Sequence, residues 1–230
     1  MIFSRKEMKT EARQALKGNF WKVALVGFLL VLIPSILSEI ATVNESSILS
    51  FIIIIVSLLT TATLDFICQT WYRQRNEAHF DHLWAQIANH FKNYWVGSLL
   101  IGLLIMVWIA LWTIPAMLLV VLGLMTANVV IIFIAIILAS CLVLWKGLQY
   151  SQAFFLYRDA VDQKQTFSYN QFITQSKQLM KGHCWEFFVL QVSFILWFLL
   201  CIVTFGIGFV WVTPYISCTR AAFYQRLINQ

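Results

Sequence analysis

Four stretches of this sequence contain no Asp, Glu, Lys or Arg: Val23–Ser38 (16 residues), Ser46–Leu64 (19), Asn93–Trp145 (53) and Phe187–Thr219 (33). A helix rises about 1.5 Å per residue, so about 20 apolar residues cross a hydrocarbon core about 30 Å thick. The first two stretches each suit one crossing. The third must fold back once, and Gly123–Asn128 is its natural turn. The fourth is long for one helix and tight for two. Overall the chain is 60% apolar and 11% charged, against about 45–50% and about 25% for soluble domains. This balance excludes disorder, a collagen-like repeat, a coiled coil and a soluble domain with a solvated charged face. An all-α polytopic membrane protein, a single integral membrane domain over 1–230, is the expectation.

The basic residues decide the topology. Six spans at roughly 22–41, 48–68, 95–121, 128–148, 186–204 and 208–224, with both termini in the cytoplasm, put all sixteen Lys and Arg on the inner side. The outer loops then carry only Glu39 and Glu45 among charged residues. That is the positive-inside pattern. Five spans would place Arg220 and Arg226 outside, so six is the expected count, with the last hairpin turning at Gly206-Ile207-Gly208. Net charge is +6, which cytoplasmic Lys and Arg explain without a nucleic-acid partner. Met1 to Lys22 is too long a polar lead for a signal peptide, and the apolar run passes Pro34, so this region is read as a retained first span.

A unit recurs three times, over about 1–73, 76–158 and 166–230. Each opens with a polar, helix-like stretch that ends in a lysine and a tryptophan: Lys17 and Trp21, Lys92 and Trp95, Lys181 and Trp185. Ser4-x-x-Glu7 and Ser168-x-x-Gln171 fit capping boxes, and Asp81 suits an N-cap. The stretches are amphipathic. Met8, Ala12, Ala15 and Leu16 oppose Arg5, Lys9 and Arg13; Phe80, Leu83, Trp84, Ile87 and Phe91 share a side; so do Tyr169, Phe172, Ile173, Leu179 and Met180. Such helices lie in the headgroup plane, or they pack together as a cytoplasmic cap. The three lysines and three tryptophans are then interfacial anchors. The returning spans end in Trp71-Tyr72-Arg73, Tyr157-Arg158 and Phe223-Tyr224-Gln225-Arg226, again in the manner of interfacial anchors. Related repeats commonly pack around a pseudo-symmetry axis, where a cavity is to be sought.

Ala12-Arg13-x-x-Leu16-Lys17-Gly18-Asn19-Phe20-Trp21 resembles the N-terminal signature of the domain-of-unknown-function nine-seventy-five family. Ser176-x-x-Leu179-Met180-Lys181-Gly182, Pro214-Tyr215 and Ala222-Phe223-Tyr224 are similar to its later pattern. The resemblance covers nearly the whole chain and implies an uncharacterised bacterial plasma-membrane protein. It brings no catalytic or binding residue with it.

Chemistry-bearing groups are few. His79, His82 and His90 share a sector of the second amphipathic stretch, but no HExxH or Cys/His set completes a metal site, and they read as solvated interfacial histidines. Cys68, Cys141, Cys184, Cys201 and Cys218 form no CxxC and read as small apolar side chains. No nucleophile elbow, Walker loop or dinucleotide fingerprint occurs in context. No cofactor is expected, and the chain reads as non-enzymatic. Asp65, Lys146 and Arg220, near the inner ends of spans two, four and six, form a candidate intramembrane polar cluster, since ionisable groups are costly in hydrocarbon. Asp65 would pair with Lys146 or with Arg220; otherwise all three snorkel to the headgroups. Glu39 and Glu186 read as interfacial. Pro34, Pro115 and Pro214 suit kinked spans, and Gly102 and Gly147 close packing. Two functions follow as expectations. One is association with anionic head groups or another membrane protein. The other is a small transporter or permeability factor with a polar site near the repeat axis.

Overall fold

The computed structural model describes residues 5–17, 20–44, 47–74, 83–165, 168–204 and 206–229. The described residues form helices and turns without strands. In chain order the helices are α1 (Arg5–Leu16), α2 (Phe20–Asn44), α3 (Ser47–Arg73), α4 (Leu83–Asn93), α5 (Trp95–Met125), α6 (Val129–Tyr150), α7 (Ala153–Asp162), α8 (Tyr169–Leu179), α9 (Cys184–Val192), α10 (Ile195–Val203) and α11 (Phe209–Ile228). Four segments among the described residues are long and apolar enough to cross a bilayer: Ser47–Arg73, Trp95–Met125, Val129–Asp162 and Cys184–Val203. The first and last expected spans correspond to α2 and α11, helices of 25 and 20 residues that fall outside this set.

The distribution of polarity inverts that of a soluble globule. Met125, Leu196, Ile202 and Val203 are exposed, while Asp65, Gln69, Gln152, Ser176 and Thr219 are wholly enclosed. An apolar exterior of this extent needs lipid against it. The enclosed polar groups need partners within the protein, and those partners define the site described below.

The turns follow local chemistry. Asn128 caps α6, its side chain accepting from the N–H groups of Val130 and Ile131 at 3.0 and 3.4 Å. The last turn holds Gly206 at φ +88°, a conformation glycine adopts without cost. Ser168 and Gln171 close the expected capping box at the head of α8. Ser4 and Asp81 lie outside the described residues.

Of the short helices, α1 and α8 rest apolar residues on neighbouring helices. On α1, Met8, Ala12, Ala15 and Leu16 are buried, and the helix packs on α11 and α3. On α8, Phe172, Ile173 and Ser176 are buried against α5, α6 and α7. α4 packs on α3 and α5 through His90, with Ile87 partly buried. The buried apolar residues of α1 and α8 therefore meet other helices of the protein, while Phe91 of α4 is exposed.

Candidate functional site

Two of the long segments are interrupted. Between α6 and α7 the helix breaks at Ser151 and Gln152, and between α9 and α10 it breaks at Ser193 and Phe194. A break frees backbone groups that hydrocarbon cannot satisfy. At the first break Ser176 of α8 supplies the remedy: its hydroxyl donates to the Gln149 carbonyl at 2.8 Å and accepts from the Gln152 N–H at 3.2 Å. Arg220 of α11 also reaches the break, its Nη2 lying 3.5 Å from the Ser151 carbonyl.

Arg220 joins this break to α3. Its Nη1 lies 3.3 Å from Oδ2 and 3.5 Å from Oδ1 of Asp65. Asp65 is fully enclosed, and the Ser217 hydroxyl one turn before Arg220 also bonds its carboxylate. The Arg220 Nε has no acceptor among the described residues, and the oxygens Oε1 of Gln69 and Gln152 have no donor there. The pair thus ties α3 to α11 and sits against the broken strand of helix, with hydrogen-bonding capacity left over.

A second polar layer lies toward the helix ends. Asp159 of α7 accepts from Arg73 at 2.6 Å, Gln69 Nε2 at 3.0 Å and the Tyr224 hydroxyl at 2.8 Å. Arg158 donates to the Thr70 hydroxyl at 2.6 Å and the Phe66 carbonyl at 2.5 Å. Arg226 pairs with Glu7 at 3.2 Å and Glu11 at 2.9 Å, while Tyr72 donates to Glu11 at 2.7 Å. The aromatic–arginine endings expected as interfacial anchors therefore bond to other helices of the protein. None of Asp159, Gln69, Gln152 and Ser176 was read as a site residue from the sequence. The recurrence of Tyr and Arg at three helix ends, with Asp159 directly after one of them, was the available signal.

Of the expected polar cluster, Asp65 and Arg220 meet and Lys146 stays apart. The Lys146 Nζ sits 3.6 Å from the centre of the Trp112 ring and 3.3 Å from Gln149 Oε1. The indole face and an amide oxygen give the ammonium a seat nearer than the carboxylate. Trp21, Trp95 and Trp185 are exposed, as are Lys17, Lys92 and Lys181. Glu186 pairs with His183 at 3.2 Å.

His79 and His82 lie outside the described residues. His90 corrects the expectation of a solvated histidine: it is only 2% exposed. Its Nδ1 lies 3.0 Å from the Thr63 hydroxyl, its Nε2 3.3 Å from the Ser98 hydroxyl, and its ring stacks parallel to Tyr94. Burial, aided by the charge of Arg158, lowers its pKa to about 4. A neutral imidazole with two hydroxyl partners fits a structural hydrogen-bonding role. The five cysteines are free thiols, and no cluster of three metal-ligating side chains occurs among the described residues.

Two clefts flank these layers. One, of about 590 Å³, lies where α6, α8 and α9 meet and is bordered by Trp145, Trp185, Lys177, Lys181 and Gln149. The other, of about 600 Å³, runs between α6 and the α9–α11 group, with Arg220 among its lining residues. Nucleophile–base geometry of the kind a hydrolase needs is not found in either lining. The arrangement offers cations beside apolar and aromatic walls, which suits binding of an amphiphile. No curated protein and no solved structure matches the chain. The family model described as Protein of unknown function (DUF975) matches residues 1–230, the whole chain, and the chain belongs to that family.

Proposed function

We propose that this chain is a non-enzymatic, six-span protein of the bacterial plasma membrane, with both termini cytoplasmic, that acts by holding anionic lipid head groups at the inner face. In this reading the three units are repeats, each a short amphipathic helix leading into a hairpin. The observation that carries it is the cleft between α6, α8 and α9. Lys177, in the last turn of α8, and Lys181, in the turn that follows it, are exposed, and Trp145 and Trp185, 51% and 69% exposed, border the same cleft. Two ammonium groups between two half-wet indoles match an anionic head group whose glycerol lies at the interface. The test is native mass spectrometry of the full chain from nanodiscs of phosphatidylcholine with and without phosphatidylglycerol. Retained phosphatidylglycerol that falls on Lys177→Gln with Lys181→Gln supports the reading. Equal retention of both lipids, unchanged by the substitutions, overturns it.

A second reading, a small transporter or permeability factor, is favoured by one observation: the enclosed Asp65–Arg220 pair against a broken helix. Ion pairs and helix breaks at membrane depth are the usual materials of a translocation site. Proteoliposomes that accumulate no tested ion or amphiphile, with wild type and Asp65→Asn alike, would count against it.

A further inference from the structure

We infer that the crevice between α6 and the α9–α11 group is a binding site for a single-chain anionic amphiphile of the fatty-acid type, its carboxylate on Arg220 and its tail along the aromatic wall. The inference deepens the lipid-holding reading above by naming a second ligand class and its seat.

Three observations converge. The crevice has a volume of about 600 Å³, within the range of about 300–1,000 Å³ that small-molecule sites occupy. Its walls are mostly apolar, with Leu144, Leu148, Phe154, Phe187 and Phe198 among the lining residues. Leu144 is 60% exposed and Phe198 42%, so the crevice is continuous with the surface that lipid must cover. A tail arriving from the bilayer thus enters without crossing water.

The cation there is underused. The Arg220 side chain is 20% exposed. Its contacts with Asp65 and the Ser151 carbonyl measure 3.3 to 3.5 Å, long for hydrogen bonds, and Nε, itself enclosed, has no acceptor among the described residues. A guanidinium carries five N–H donors in a planar fork that matches a carboxylate. Asp65 engages Nη1 and the Ser151 carbonyl engages Nη2, and a ligand carboxylate takes the second hydrogens that these two nitrogens carry.

The lining also selects against a bulkier head. Apart from Arg220, its side-chain polar groups are Gln191, Ser151 and Tyr150. A phosphodiester with a glycerol or sugar substituent would bring hydroxyls and ester oxygens into an apolar wall with few partners for them. A carboxylate presents two oxygens and nothing more. Phospholipid is assigned to the lysine-bordered cleft, and the crevice to the single-chain acid.

Gly147 provides the control. It lines the crevice, and a Cβ added there meets no atom within 4 Å. Gly147→Leu therefore fills tail space without touching the Asp65–Arg220 pair. The experiment uses the full chain in phosphatidylcholine nanodiscs with a palmitic acid analogue bearing a diazirine on its tail, followed by peptide mapping. Labelling is expected on 144–154 and 187–198, competed by palmitate and not by phosphatidylglycerol. Gly147→Leu and Arg220→Gln should each reduce it at least about tenfold, the loss expected when a charge-assisted hydrogen bond or a buried chain is removed. Arg220→Lys should retain part of it. Lys177→Gln with Lys181→Gln should leave it intact, which separates this site from the headgroup cleft. Labelling spread evenly over lipid-facing helices, or unaltered by Gly147→Leu, overturns the inference whether or not Arg220→Gln folds.

Discussion

Arg73 and Asp159 meet at 2.6 Å, joining the end of α3 to α7. The same carboxylate accepts from Gln69 and from Tyr224, so one side chain binds groups from α3 and α11 to its own helix. A carboxylate with three donors from two other helices ties these helix ends together rather than letting them splay into the headgroups.

Replacing that carboxylate should show in stability before function. Asp159→Asn keeps the shape but removes the charge, and leaves Arg73 with the more distant Asp162 carboxylate at 3.8 Å. It is expected to cost about 2–4 kcal/mol. Tyr224→Phe, which removes one donor, should cost about 1 kcal/mol. Thermal unfolding of the detergent-solubilised chain measures both, and an Asp159→Asn protein as stable as wild type would refute the assignment.

The Asp65–Arg220 pair predicts non-additivity. Asp65→Asn leaves a guanidinium without its carboxylate in an enclosed setting, at an expected cost of about 3–5 kcal/mol. Asp65→Leu combined with Arg220→Met removes both charges and should recover most of that loss. A double variant that is merely the sum of its single changes would show that the two side chains are not coupled.

His90 makes stability pH-dependent in a defined direction. Its pKa is lowered in the folded protein from 6.5 to about 4. The unfolded chain therefore binds the proton first, and the contribution of a neutral His90 is present above pH 6.5 and is lost as pH falls toward about 4. The full difference is on the order of 3 kcal/mol. Comparing the unfolding midpoints of wild type and His90→Gln between pH 7.5 and 4.5 checks this. Parallel curves for the two proteins would exclude it.

Gly97 is a close-packing site. A Cβ there would overlap the Tyr157 ring, which T-stacks on Tyr94 and on Phe172. Gly97→Ala should destabilise by about 1–3 kcal/mol. Adding Tyr157→Leu should relieve part of the loss, because it removes the ring edge that the new methyl strikes. A Gly97→Ala protein with the wild-type unfolding midpoint would mean that the helices part without cost.

The helical class and the membrane setting were legible in the sequence, because both depend on runs of apolar residues and on where charges are missing. The capping box at Ser168 and the turns at Asn128 and Gly206 were legible for the same reason: each is a local agreement between a side chain and its own backbone. The pairing of Asp65 with Arg220 was only half legible. The cost of an isolated charge demanded a partner, but Lys146 satisfied that demand equally well on paper. Its seat on Trp112 depends on how α5 packs against α6, which no local pattern records. His90 misled because it was read with His79 and His82 as one solvated sector, whereas its side chain meets Thr63 and Ser98, on two other helices.

The sequence by itself determined that this chain forms long apolar helices and where along it charges are missing. Hydrophobic length and charge position are properties of each segment alone. The tertiary structure decided which charges meet. It turned three expected surface anchors, Arg73, Arg158 and Arg226, into bonds between helices, and it left Arg220 half satisfied beside a crevice. The physical reason is that desolvated charge is costly until partnered, while the partner's identity depends on helix rotation and on the break at Ser151 and Gln152.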